Sequence, residues 1–239
     1  MPAERLQKLI AAAGLCSRRS AETLLREGRV QVNGRTAGLG DKADPGVDAV
    51  TVDGRPLRPS PPPVVLLLNK PAGVLCSCSD PRGRTTVLDL LPERLRRGVH
   101  PVGRLDGASR GALLLTNLGE LTLRLTHPRY GHRKTYRVWV QGHPGAATLA
   151  RWAAGVPLEE GPSQPVGLRP LQQLADRTLL EVVMGEGRNR QIRRTAALLG
   201  HPVLDLQRLA IGPVGLGRLA EGEWRPLDRR EWRALAHEP

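Results

Sequence analysis

Cysteine is scarce in this chain, confined to Cys16, Cys76 and Cys78. So sparse and odd a set argues against a disulfide scaffold and fits a reducing compartment. Cys76 and Cys78 form a C-x-C with no second pair to complete a tetrahedral zinc site. They read as small apolar residues on a strand, and no metal is expected. No apolar run approaches the ~20 residues needed to cross a bilayer. The opening MPAERLQKLI is charged and helix-like, unlike the apolar core of a signal peptide, so a cytoplasmic protein is expected. Metal and dinucleotide signatures are missing, as are repeats and coiled-coil heptads. Phenylalanine is absent, and the lysines are Lys8, Lys42, Lys70 and Lys134. Together with abundant Arg, Ala, Gly and Pro, this fits a GC-rich coding sequence.

Positive charge is what the chain has in excess. The formal net charge is +13 over 239 residues, with 40% hydrophobic and 25% charged residues, an ordinary globular balance otherwise. Codon bias explains arginine in place of lysine but not the net excess. A field of this sign favours a polyanionic partner through phosphate contacts and counterion release. Arginine's planar fork suits phosphates and base edges.

Along the chain, Leu6, Leu9, Ile10 and Ala13 recur at helical spacing, and Gly14 is a plausible stop. Ser17 is a good N-cap for a second helix that ends before Gly28. VQVNGRTA then alternates around Asn33-Gly34, a hairpin signal, and VTVDGRPL repeats the pattern. These elements form a small domain, residues 1–57. A proline-rich spacer at 58–63 follows, in the stretch RPLRPSPPP. A larger domain spans 64–239. It opens with the continuous apolar run VVLLLNK, which predicts a strand buried on both faces. Further strands are expected at Ala112–Thr116, Thr135–Val140, Val166–Pro170 and Thr178–Met184. Helices are expected at Thr85–Leu91, Glu120–Thr126, Ala146–Ala154 and Gln191–Leu199. Helices interspersed irregularly among hairpin-like strands predict an α+β fold on a mixed sheet rather than regular βαβ winding.

The first two helices carry basic residues, among them Lys8, Arg18, Arg19 and Arg26, with Arg29 just beyond. A helix-turn-helix that binds DNA would share the helix pair. The stretch RLQKLIAAAGLCSRRSAETLLREGRVQVNGRTA, however, resembles the S-four (alpha-L) RNA-binding domain, and its basic hairpin after the second helix favours that module.

Three segments of the larger domain carry candidate chemistry. GRLDGASRGALLLTN holds Asp106 between Arg104 and Arg110; HRKTYRVWV leads a basic cluster into a strand bearing Tyr136. GEGRNRQIRRTAALLGHPV enters a helix from a Gly-rich turn with Arg188, Arg190, Arg193 and Arg194. Taken separately they are a hairpin turn, an amphipathic strand and a basic helix face. In this order, behind that first domain, they resemble the motifs of RsuA-type bacterial ribosomal-RNA pseudouridine synthases. NKPAGVLCS, HPVG, LTHP and the tail L-x-R-L-x-I-G-P at Leu206–Pro213 also fit.

The resemblance implies a catalytic domain on a mainly antiparallel sheet with flanking helices. It also implies isomerisation of uridine to pseudouridine in structured ribosomal RNA, without cofactor or metal, by a monomer. Asp106 would be the essential carboxylate, since nucleophilic or basic action requires the anion. Arg193 would stand opposite it, because a nearby arginine favours ionised aspartate. Tyr136 would stack on the uracil, with mediation of a proton transfer a second role open to it. Arg104 would occupy the space left by the flipped base, and a target in a loop is easiest to splay out. Arg188, Arg190 and Arg194, with the basic face of the first domain, would hold phosphates. Attack on C1′, attack on the base and removal of a sugar proton all remain open for Asp106. The family commonly reads T-N-D-G where this chain has Thr116-Asn117-Leu118-Gly119, and Ala112 and Ser109 replace a usual leucine and threonine. The pattern N-R-Q-I-R-R leans toward the large-subunit members.

Overall fold

A computed structural model describes residues 2–237. The chain separates into two units. One comprises Met1–Val64 with Leu91–His100 and Thr116–Gly119; the other comprises Val65–Leu90, Pro101–Leu115 and Glu120–Pro239.

In the first unit, helix α1 (Leu6–Ala12) buries Leu6, Leu9 and Ile10, the stripe read from the sequence. Ser17 accepts the Ser20 N–H and so caps α2 (Arg18–Arg26), while Gly28 leaves the helix at φ +68°. Two hairpins follow, β1 (Val30–Val32) with β2 (Arg35–Thr36) and β3 (Val50–Val52) with β4 (Arg55–Pro56), and β1 pairs β3. Asn33-Gly34 and Asp53-Gly54 both turn with positive φ at each residue, the geometry such tight hairpins require. Leu6, Ile10, Ala21, Leu25, Val30 and Val52 form this unit's core. The proline-rich segment is anchored here. Arg97 donates to the carbonyls of Ala13 and Pro59, Asn117 donates to Pro62, and Thr116 Oγ1 donates to Val64.

The second unit is built on a nine-stranded sheet. Its path runs β8 (Gly167–Gln173), β9 (Arg177–Met184), β7 (Lys134–Gln141), β10 (Val203–Ile211), β6 (Arg110–Thr116), β5 (Val65–Lys70) and β11 (Trp224–Pro226). The β7–β9, β7–β10 and β8–β9 pairings are antiparallel, and β10 runs parallel to β6. Every residue of β5 is buried: the apolar Val65–Leu68, as their continuous pattern predicts, and also the polar Asn69 and Lys70. Helices α3 (Gly119–Thr126), α4 (Ala146–Ala154) and α5 (Gln191–Leu198) flank the sheet. Trp152 of α4 and Ile192 of α5 join Val138, Val140, Leu180 and Val182 in the core.

Two local expectations fail. Residues 85–91 form no helix: Thr86 bridges to Leu75 and residues 87–90 turn. There the Thr86 N–H and hydroxyl both donate to Asp89 at 2.7 and 2.9 Å, closing a side-chain turn, and Pro92 blocks helical extension. Cys76 and Cys78 lie in an irregular segment, where the Ser77 N–H turns back onto the Leu75 carbonyl, rather than on a strand.

Candidate active site

The three sequence segments meet at one cleft of about 440 Å³ in the second unit, within the size range of small-ligand pockets. Asp106, Arg104, Tyr136, Arg188, Arg190, Arg193 and Arg208 are among its lining residues.

Asp106 sits in the loop that precedes β6. The Ser109 N–H donates to its carbonyl at 3.0 Å, so Asp-Gly does turn the chain. The loop is tethered from several sides. The Gly73 N–H donates to Gly107 O at 2.7 Å, and the Leu105 N–H donates to Cys76 Sγ at 3.3 Å. Lys70, 0% exposed, donates from Nζ to Pro71 O and Ser109 O, each at 2.8 Å. Burial pushes the Lys70 ammonium below its ordinary pKa, opposed by Cys76 and Asp106 and assisted by Arg208. The loop backbone thus has a cationic anchor beneath it, while the Asp106 side chain remains about one-third exposed to the cleft.

The arginines around Asp106 divide differently from the sequence expectation. Arg190 makes the ion pair, with Nη1 at 3.6 Å from Asp106 Oδ2. Arg193 instead donates from Nη2 to Ala108 O at 3.1 Å and Ser109 Oγ at 3.2 Å, bracing the same loop. The reason lies in the start of α5. Arg190 adopts a left-handed conformation, φ 49°, ψ 29°, as the residue before the helix, and its side chain reaches the carboxylate from there. Arg193 lies within the first turn of α5. Burial and the Arg190 charge lower its pKa, while Asp106 and Asp205 oppose them, so it feels the carboxylate without pairing to it.

Tyr136, buried in β7, lines the cleft. Arg104 is exposed at the rim and forms no ion pair with a described residue. Arg188 and Arg194, expected as phosphate contacts, are occupied by the protein. Arg188 donates to Gly161 O, Pro162 O and Glu186, and Arg194 to Glu160, so both hold the 157–162 hairpin. In the first unit Lys8 pairs with Glu4, Arg26 with Glu22, and Arg29 with Asp53 and Glu27. Arg18 and Arg19 stay exposed without an ion pair to a described residue. Arg110, to which the sequence assigned no role, clamps β6 to Asp205 of β10 and to Glu221.

Lys70 and Arg208 went unassigned from sequence. Their signals were present, in NKPAGVLCS and in the tail L-x-R-L-x-I-G-P, but neither motif says that its basic residue is buried.

Comparison with known proteins accords with this geometry. Residues 64–198 match the RNA pseudouridylate synthase family, and residues 4–49 match the S4 domain. An uncharacterised RNA pseudouridine synthase of Aquifex aeolicus is 43% identical over 229 residues, covering 95% of this chain and 91% of the relative. The ribosomal large subunit pseudouridine synthase B of Bacillus subtilis is 40% identical over 235 residues, covering 97% and 95%. A crystal structure of a pseudouridylate synthase superposes with a TM-score of 0.69 at 31% identity, covering 97% of this chain and 99% of that one. With a family match over more than half its length and relatives covered almost end to end, the chain belongs to the RNA pseudouridylate synthases, as a pseudouridine-forming isomerase that carries an S4 domain.

Proposed function

We propose that the protein isomerises a specific uridine in ribosomal RNA, that of the large subunit in preference to the small, with Asp106 as the essential carboxylate. The observation that carries this reading is the convergence of Asp106, its ion-pair partner Arg190, the brace Arg193 and the Tyr136 ring at one cleft. The large-subunit preference rests on the N-R-Q-I-R-R pattern and on the Bacillus subtilis relative's name.

The reaction breaks the C1′–N1 bond, turns the base and joins C1′ to C5; N1 gains a proton and C5 loses one. Atoms and electrons balance without an oxidant, reductant or group donor. The target base leaves its stack at a cost of a few kcal/mol. It enters the cleft, where Tyr136 stacks on the uracil face, and exposed Arg104 fills the vacated place in the RNA. Asp106 acts as the anion, with Arg190 beside it and with Lys70 and Arg193 fixing the loop that presents it.

The test is release of tritium from ribosomal RNA made with uridine tritiated at C5. Wild-type protein releases the label; Asp106→Asn binds the RNA and releases none. Normal isomerisation by Asp106→Asn would reduce Asp106 to a turn residue. Pseudouridine mapping in rRNA from cells with and without the gene identifies the uridine, and a missing small-subunit modification would overturn the large-subunit preference.

A further inference from the structure

Two arginines that line the cleft, Arg193 and Arg208, carry a buried N–H without a hydrogen-bond partner, and Arg208 is the more deeply buried. Arg208 is 4% exposed and lines the cleft. Its Nε donates to Ala112 O at 2.6 Å, but its Nη2 is buried without a hydrogen-bond partner. Guanidinium stays charged under all ordinary conditions, so an unmatched buried N–H is costly and calls for an acceptor. Among the described residues, no carboxylate that lines the cleft is left for it. The carboxylates lining the cleft are Asp106 and Glu186. Asp106 pairs with Arg190, and Glu186 already accepts from the Gln164 N–H, Gln191 and Arg188.

The strand register fixes which residues Arg208 neighbours. Arg208 stands directly opposite Tyr136 in the antiparallel β7–β10 pair, and directly opposite Gly111 in the parallel β6–β10 pair. Opposed residues of adjacent strands share a face of the sheet. Arg208 therefore neighbours the ring proposed to stack on uracil, and it lies beside the strand that leaves the Asp106 loop. A phosphodiester remains with the RNA backbone at the rim, beside exposed Arg104. What reaches the floor is the extruded base, and uracil carries two exocyclic carbonyl acceptors.

We propose that Arg208 is a substrate-recognition residue whose free guanidinium N–H donates to an exocyclic carbonyl of the flipped uracil. The inference rests on the reading of the cleft given above. The contact is a charge-assisted hydrogen bond made to the base once the base is out of the stack.

The test uses the full-length protein and a short RNA containing the mapped uridine, or 2-thiouridine or 4-thiouridine at that position, since sulfur is the poorer acceptor. Single-turnover formation of the isomer is followed by nucleoside chromatography of the digested RNA. Wild-type protein is expected to lose about 10- to 100-fold in rate over KM on one of the two thio substrates, the range for a hydrogen bond to a charged group. Arg208→Met is expected to lose a similar factor on uridine and nothing further on that thio substrate, with Arg208→Lys recovering part of it. Equal penalties from sulfur in wild-type and Arg208→Met protein would overturn the proposal. So would wild-type turnover of both thio RNAs at the uridine rate, a result independent of whether any variant folds. Failure of wild-type protein on the uridine RNA itself would strike the reading of the cleft rather than the role of Arg208.

Discussion

Arg190 and Arg193 stand three residues apart and do different work on one loop. Arg190 holds the Asp106 carboxylate from a left-handed backbone that an arginine adopts at a cost of roughly 1 kcal/mol. Glycine would relieve that strain and surrender a similar amount as chain entropy. Arg190→Gly is therefore expected to melt within about 2 °C of wild type while tritium release falls on the order of tenfold or more. Arg193→Ala should lower both quantities, because it leaves Ala108 O and Ser109 Oγ without their donor. Calorimetry beside the tritium assay separates the two. Loss of stability in Arg190→Gly with full activity would reverse the assignment.

At the scale of elements, the junction between β6 and β10 joins two strands that both line the cleft. These strands meet at Gln207–Arg110 and Arg208–Gly111 only. Gly111 has φ +109°, and a Cβ there would collide with the Arg208 backbone. Gly111→Ala should cost on the order of 3 kcal/mol or more in urea unfolding. Gly119→Ala offers the contrast. It opens α3 with ordinary φ and open space around it, so alanine should stabilise by about 0.4–1 kcal/mol. The 80–84 turn makes a pH prediction. Hydrogen bonds from Arg84 hold the Asp80 carboxyl down at about 2, against an ordinary 3.8. A depressed folded pKa contributes stability above the unfolded value and loses it as pH falls toward 2. An NMR titration of Asp80 should show that midpoint, and Arg84→Ala should return it toward 3.8.

Over the whole molecule, the +13 charge sets how RNA binding responds to salt. Affinity for a ribosomal-RNA fragment should fall steeply between 50 and 200 mM salt, about 10³-fold or more if six or more phosphates are contacted. Arg18→Ala and Arg19→Ala should each reduce the slope of log K against log salt by roughly 1, because those guanidiniums are exposed without ion pairs to described residues. Lys8→Ala and Arg29→Ala should change it less, since Glu4 and Asp53 already neutralise them. A salt slope unchanged in the Arg18 and Arg19 variants would remove that face from the RNA interface.

Much of this architecture was legible in residue order. Local signals such as the Ser17 cap, the Asn33-Gly34 turn and the apolar run of β5 act over a few residues, and each predicts its element. The motifs around Asp106, Tyr136 and Arg193 pointed to the reaction class through their resemblance to a known family, which the family match over residues 64–198 bears out. Residues 85–91 were misread because side-chain hydrogen bonding to Asp89 outcompeted a weak helical pattern ahead of a proline. What order alone could not decide was the assignment of one arginine among many, since all carry the same charge. Tertiary placement made that choice. It put Arg190 on Asp106, Arg193 on the loop, Arg188 and Arg194 on a hairpin, and Arg110 across a sheet junction. It also left Arg208 buried with an N–H unmatched, because register and burial are set by strands distant in the chain.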